Sequence, residues 1–439
     1  MSRPTPELAS LLNAPAPTQW TVSDIAHPFV ASYVWLKTLL ATLFVAIFRQ
    51  RPLPTSTRRA AVAVALTRAV GAVTPSPLLI RILTEIPMAL LGGVLKRARA
   101  LDGVVYRPVE ITVHRARHEP DLSSLGISPA PCDDDTDGGD TRVLGAEWVA
   151  TRDRFSAGLR TDVVLFLHGG AFCLYSPRTY RPVTRKLAKL GFAVLAVDYR
   201  KSPQYAFPCA LHDAVAAYLW LVRDLAVDPD RILLLGDSAG GALTVGLFQI
   251  LSQLDLPKPA AVALWSPYLD MDPRFGAESM VENADKDFLS ILTNRKLGVV
   301  RMYAGKEIVK KGKDAMDAFL AHPFVKLTSA QPACPVLIQS SPSEQLATCI
   351  FRFYANQDPV TAQVQHDLLV DTPHDPFYLG ALIPLTAKVD VVALGLERLW
   401  TWWLDVQEGT VPRGKVQRKW HADGRVEVVE DTTNKAAQG

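Results

Sequence analysis

The sequence predicts an α/β fold in which a mostly parallel central sheet carries helices on both faces. Short runs rich in Val, Ile, Leu and Ala recur at Val163–Leu167, Phe192–Val197, Ile232–Leu235, Ala260–Trp265 and Val336–Ile338. Helical stretches such as Leu211–Leu225 and Gly241–Leu254 separate them, which reads as βαβ units. The runs are apolar throughout rather than at every second residue, as strands covered on both faces require. With 439 residues, 49% of them apolar, the chain can hold one α/β domain of roughly 250–300 residues plus additions.

Leu235-Gly236-Asp237-Ser238-Ala239-Gly240-Gly241 continues directly from the third of these runs. In a G-x-S-x-G turn the two glycines, here Gly236 and Gly240, let strand and helix approach closely around a strained serine. The hydroxyl of Ser238 then projects above the sheet as a nucleophile. The pentapeptide alone also suits an ordinary helix start with a polar cap. Its context decides: His168-Gly169-Gly170-Ala171-Phe172 ends the run Val163–Leu167, 70 residues upstream. A backbone stripped of side chains can turn its N–H groups onto the oxyanion that forms when a serine attacks an ester carbonyl. Gly169, Gly170 and the N–H of Ala239 are the predicted oxyanion hole. His168 precedes this loop at a strand end and is read as structural.

These motifs resemble the α/β-hydrolases of the hormone-sensitive-lipase-like group, which includes arylacetamide deacetylases, steryl-acetate hydrolases and many microbial and fungal esterases. A third block is similar to the group's Asp-Tyr-Arg-x-x-Pro…Phe-Pro…Asp stretch: Asp198-Tyr199-Arg200-Lys201-Ser202-Pro203, Phe207-Pro208 and Asp213. The resemblance implies that this block braces the site without doing chemistry. It spans about residues 160–245, with weaker similarity to about 405. It implies an α/β-hydrolase fold with an N-terminal helical cap, and a triad in the chain order Ser, Asp/Glu, His.

The acid should follow the strand Pro335–Gln339, and Glu344 in Ser343-Glu344-Gln345-Leu346 is similar to the group's Gly-x-x-(Asp/Glu)-x-Leu. Asp358, Asp367, Asp371 and Asp375 compete with it. Two departures from the pattern stand beside it: Ser340-Ser341 in place of a glycine, and Ala347-Thr348-Cys349 in place of acidic residues. The base should follow the last strand, Gln365–Val370. His374 stands there, 30 residues after Glu344, with His366 its one serious rival among nine histidines. The expected catalytic residues are therefore Ser238, Glu344 and His374. No cofactor or metal is called for: no Cys/His ligand cluster and no phosphate-binding glycine loop is evident.

The remaining features bound the reading. Lys plus Arg is 47 against 44 for Asp plus Glu, a net of +3 that offers no basic field for nucleic acid. The five scattered cysteines, Cys132, Cys173, Cys209, Cys334 and Cys349, read as reduced residues rather than a disulfide framework. Residues 118–142 read as a long flexible loop. Val389–Val406 is a closing helix, and 407–439 a polar, frayed tail after a catalytic domain at 101–406.

Residues 1–100 form an apolar helical addition. Phe29–Phe48 holds twenty residues with one charge, Lys37, long enough to span a bilayer. It can span, lie on the interface with Leu36, Leu39, Leu40, Leu43 and Ile47 as its apolar face, or belong to a soluble cap. Arg49, Arg51, Arg58 and Arg59 follow and favour a cytosolic hydrolase if it spans, whereas membrane-bound members of the group face the lumen. Membrane association through 29–48, at the endoplasmic reticulum by analogy, is the expectation; a cytoplasmic protein is the alternative. Ala60–Val73 and Leu78–Leu95 extend the cap, which would wall an apolar pocket. No feature sets the oligomeric state.

Three function classes follow. A serine carboxylic-ester hydrolase acting on a lipophilic ester is the first. An acyltransferase would use the same acyl-serine but deliver it to an alcohol. A ligand-binding protein on a disabled hydrolase fold is the third, disfavoured by the retained Ser238, glycines and His374.

Overall fold

A computed structural model describes residues 103–128, 140–158, 162–272, 277–289, 298–381, 385 and 390–433. The segment 29–48 and the apolar stretches up to residue 98 lie outside the described residues, as does 129–139 of the acidic loop.

The chain runs β1 (Val104–His114), α1 (Arg115–His118), β2 (Thr141–Thr151), α2 (Arg152–Ala157) and β3 (Val163–Leu167). It continues with α3 (Arg181–Leu190), β4 (Ala193–Val197), α4 (Cys209–Arg223), β5 (Ile232–Asp237), α5 (Ser238–Gln253) and β6 (Ala261–Trp265). Four short helices follow: α6 (Ala277–Glu282), α7 (Val299–Ala304), α8 (Lys306–Lys310) and α9 (Lys313–Leu320). The last part is β7 (Val336–Ser340), α10 (Ala347–Ala355), β8 (Gln363–Leu369), α11 (Pro376–Gly380), α12 (Val391–Glu408), β9 (Gly414–Trp420) and β10 (Val426–Asp431).

Among the described residues ten strands join one sheet in the order β1-β2-β4-β3-β5-β6-β7-β8-β9-β10. Pairing is parallel from β4 through β9 and antiparallel at β1/β2, β2/β4 and β9/β10. The wholly apolar strands are explained by two cores. Val163, Leu165 and Leu167 of β3 face a cluster that includes Leu211 of α4 and Leu247 of α5. Val164 and Phe166 face the opposite cluster, with Leu187 of α3 and Trp402 of α12. Strand order reverses at β3, whose neighbours are β4 on one side and β5 on the other. The carboxyl ends of β3 and β5 therefore open a crevice, where open α/β sheets bind ligands. Both glycine motifs lie there.

Several expectations are corrected. Within the expected frayed tail at 407–439, residues 414–431 are built into the sheet: β9 pairs in parallel with β8 from Gln363/Gly414 to Leu369/Trp420, and β10 pairs back on β9. Its charges misled, because β10 pairs although most of its residues are exposed, and one charge of β9 is turned inward. Lys415 is buried and donates to the carbonyls of Tyr354 and Ala355. The sheet thus extends past the expected boundary at 406.

Helix α5 begins at Ser238 rather than Gly241, since the glycines serve close packing and not a break. The segment 118–142 is partly built, with Leu122 and Ile127 buried around a short 3-10 turn, Ser123–Leu125. Cys209 is disulfide-bonded, against the reading of five reduced cysteines, whereas Cys334 and Cys349 carry free thiols. Among the described residues no helix is long and apolar enough to cross a membrane.

Candidate active site

Ser238 is the first residue of α5 and sits at φ +51, a left-handed conformation that costs a side-chain-bearing residue energy. The turn is tight enough to impose it. A Cβ on Gly240 would collide with the Leu167 carbonyl, and one on Gly236 with the Gly240 carbonyl and Thr244. Neither position can carry a side chain without parting strand from helix.

His374 follows β8 and reaches Ser238, with Nε2 2.9 Å from Oγ. Its Nδ1 lies 2.6 Å from Oε2 of Glu344. This network assigns the proton to Nδ1 and leaves Nε2 as acceptor from the serine hydroxyl. Glu344 is fully buried, and its other oxygen accepts from the Ser341 N–H (2.8 Å) and the Ser266 hydroxyl (3.1 Å). Burial works against a charged imidazole, but the hydrogen bond and charge of Glu344, then the charges of Asp287 and Asp375, outweigh it. The net effect raises the His374 pKa.

The serines at the unusual positions have work to do. Ser341 Oγ donates to the Thr372 carbonyl, joining the Glu344 loop to the His374 loop, and accepts from the Ser343 N–H. Ser340 Oγ bonds to Nε2 of His366 at 2.7 Å. A glycine could do neither.

The competing residues are placed elsewhere. His366 lies inside β8 between Ser340 and Gln417, and burial pushes its imidazole down to about 3. Asp358 caps an exposed turn, accepting from the N–H groups of Val360 and Thr361. Asp367 faces Arg398 at 3.7 Å. Asp371 stands at φ +60 just past β8. Asp375 bonds to Asp237. His168 stacks on Tyr199 with ring centroids 4.4 Å apart, and burial pushes its pKa down to about 3.

The oxyanion loop departs from expectation at one position. The N–H of Gly169 is committed to Oδ1 of Asp237 at 2.9 Å and does not face the nucleophile. Gly169 serves close approach instead, since a Cβ there would strike the Asp237 carboxyl. The loop turns through Gly170 (φ +108), Ala171 (φ +54) and Phe172 (φ +60), a run of left-handed residues that aligns successive N–H groups. The N–H groups of Gly170 and Ala171 make no hydrogen bond among the described residues. Ala239 stands in the first turn of α5, where helix N–H groups lack partners. Gly170, Ala171 and Ala239 thus offer the available donors, and Ala171 was missed because its type gives no hint of its conformation.

Asp237 was missed as well. It precedes the serine, accepts from Tyr180 OH (2.6 Å) as well as Gly169, and pairs with Asp375, which follows the histidine. The Asp-Tyr-Arg block braces the same loop: Tyr199 OH donates to the His168 carbonyl (2.7 Å) and the Ser202 N–H to the Phe172 carbonyl (2.9 Å). Arg200 is held in turn by Asp213, whose carboxylate takes its N–H at 2.7 Å. Beyond the loop, Ala171, Cys173 and Leu174 pack with Val299 and Met302 of α7, an apolar wall beside the oxyanion loop. Among the described residues no group of acidic, Cys or His side chains could hold a metal ion.

A family model described as alpha/beta hydrolase fold matches residues 164–376. An acetyl-hydrolase of Streptomyces hygroscopicus is 37% identical over 168 residues, 37% of this chain and 50% of that protein. The carboxylesterase/phospholipase LipF of Mycobacterium tuberculosis is 38% identical over 194 residues, 42% of this chain and 48% of that protein. The chain thus spans about half the length of these curated relatives. A solved hormone-sensitive lipase from a metagenome library superposes with a TM-score of 0.56 at 21% identity, covering 79% of this chain and 97% of that one, a likeness of fold. By its motifs, its sheet order and these likenesses, residues 164–376 have the alpha/beta hydrolase fold.

Proposed function

We propose that the protein is a serine carboxylic-ester hydrolase acting on a lipophilic ester through an acyl-serine intermediate. One observation carries the reading: the continuous relay Ser238 Oγ, His374, Glu344, at 2.9 and 2.6 Å, beside a loop of unengaged N–H groups. His374 takes the serine proton as Oγ attacks the ester carbonyl, and Glu344 steadies the imidazolium. The oxyanion is met by the N–H groups of Gly170, Ala171 and Ala239. As the C–O bond breaks, imidazolium returns the proton to the departing alkoxide. Water, deprotonated by the same imidazole, then releases the acid.

The apolar wall of Ala171, Leu174, Val299 and Met302 supports a lipophilic acyl or alcohol group. The names of the relatives, acetyl-hydrolase and carboxylesterase/phospholipase, point the same way. We assign residues 29–48, by their sequence, to membrane association, spanning or interfacial; binding of the full chain to phosphatidylcholine vesicles, lost on deleting 29–48, tests this. Acyl transfer differs only in the second nucleophile, and an added alcohol that is acylated faster than water would reveal it.

The test is hydrolysis of p-nitrophenyl acetate, butyrate, octanoate and palmitate by the wild type beside Ser238→Ala and His374→Ala. Each substitution should lower kcat by about 10⁶. A folded wild type no faster than its two variants on every ester would rule the hydrolase out.

A further inference from the structure

The segment after β6 sets polar side chains where the acid and base loops meet. Ser279, Asn283 and Asp287 stand four residues apart in α6 and the turns that continue it. The Asn283 N–H bonds to the Ser279 carbonyl (3.0 Å) and the Asp287 N–H to that of Asn283 (3.1 Å). That helical spacing puts all three on one face, and the face grips the Glu344 loop. Ser279 Oγ donates to the Gln345 carbonyl (2.7 Å) and accepts from the Thr348 N–H (3.1 Å). Asn283 Nδ2 donates to the carbonyls of Glu344 (2.9 Å) and Pro342 (3.2 Å).

Asp287 is fully buried and completes the stripe. One of its oxygens accepts from the Gln345 N–H at 2.7 Å. The other accepts from the His374 N–H at 3.0 Å and from Phe288 at 2.7 Å. A single carboxylate therefore holds the backbone of the base and the residue next to the acid.

We propose that Asp287 is a positioning residue that locks the Glu344 and His374 loops in register, so that their side chains meet at 2.6 Å and His374 faces Ser238. The proposal rests on the acyl-serine reading above. Three N–H groups converge on Asp287, and an acceptor-only carboxylate suits them as no amide can. An asparagine would turn its NH₂ toward one of those donors.

The charge matters too. Burial pushes Asp287 up to about 6, with the His374 charge and the Gln345 N–H pulling the other way. His374 is faced by Glu344, Asp287 and Asp375, and all three carboxylates favour its imidazolium. Taking away the Asp287 charge lowers the proton affinity of His374, so the neutral base survives to lower pH.

The experiment compares full-length wild type, Asp287→Asn and Asn283→Ala by kcat and KM on p-nitrophenyl butyrate across pH. The rate at which a fluorophosphonate labels Ser238 is followed beside it, with a melting curve for each protein. Asp287→Asn should lose about 10²-fold in kcat, the scale of a small misplacement of reacting groups. KM should barely move, the acid limb should shift to lower pH, and labelling should slow in parallel. A folded Asp287→Asn with the wild-type kcat and acid limb overturns the proposal. If that variant does not fold, Asn283→Ala decides: a lower kcat at unchanged KM supports the brace, and an unchanged kcat overturns it. A wild type that is labelled yet hydrolyses no ester sinks the hydrolase reading, while the labelling rates still judge Asp287.

Discussion

Across the active cleft, the nucleophile side is held by backbone and the acid–base side by side chains. Ser238 and the loop 168–172 are shaped by close approach: Gly236 against Gly240, Gly240 against Leu167, Gly169 against Asp237. Glu344 and His374 sit on longer loops that borrow hydroxyls and amides from distant stretches, among them Ser266, Asn283 and Ser341. The first side should be broken by adding a single carbon, the second by removing a single polar atom. Both kinds of damage can be measured on the same reaction.

The sharpest test on the acid–base side is Glu344→Gln. Oε2 accepts from His374 Nδ1, while Oε1 is fixed by the Ser341 N–H and Ser266, so the amide NH₂ would face another N–H. The imidazole would have to turn its proton toward Ser238. A loss of about 10⁴ in kcat with the fold intact is expected, as when a triad acid becomes an amide. A loss of only a few-fold would return Asp375, which competed for the role, to consideration as the acid.

On the nucleophile side the matching test is Gly170→Ala. At φ +108 the position resists any side chain, and a Cβ would lie 2.6 Å from the Leu174 carbonyl. The loop would shift and misdirect its N–H groups. A fall of about 10²–10³ in kcat, the scale of one lost oxyanion donor, should follow. An active Gly170→Ala with unchanged kcat would argue that this loop does not meet the oxyanion.

This asymmetry also explains what the sequence discloses. Close approach of backbone demands glycine at fixed intervals, so the two motifs of the nucleophile side can be read directly, 70 residues apart. The hydrogen bond of Ser341 to Thr372 spans 31 residues and obeys no interval, so two serines in place of a glycine read as a defect rather than as a tether. Ala171 is silent for another reason: only the folded loop makes its φ positive. The same logic governs the strands. β3 to β6 are apolar because both faces are covered, whereas β9 lies near the rim and pairs its charges, so Gly414–Trp420 looks like solvated tail.

A smaller effect is expected for Ser341→Ala. The substitution leaves the buried Thr372 carbonyl without the Ser341 hydroxyl and frees the Ser343 N–H. About 1–3 kcal/mol of stability should be lost. The fall in kcat should be much less than for Glu344→Gln, because Asp287 still spans the two loops. Denaturant melts read beside kcat separate the terms: unchanged stability would mean the tether carries no weight.

The mildest test concerns a place where carboxyls from the two sides meet, the Asp237–Asp375 pair. A hydrogen bond between two carboxyls needs a proton. Asp237 holds it, since burial first, and then the charge and hydrogen bond of Asp375, raise its pKa well above the usual range. In the unfolded chain an aspartate ionises near about 3.9. The stabilisation due to the shared proton is therefore whole below that value and drains away as pH rises toward the folded pKa. Asp237→Asn cannot lose its hydrogen: Nδ2 can still donate to Asp375 while Oδ1 receives the Gly169 N–H, and the cost of taking the Oδ2 acceptor from Tyr180 OH is the same at every pH in the range. Melting temperatures followed from pH 4 upward should show the wild type falling steadily behind this variant as pH increases. A gap that stays constant across pH would mean that no proton is shared, and that the two sides of the cleft are held together by the Ser238–His374 hydrogen bond and the packing around it rather than by this pair.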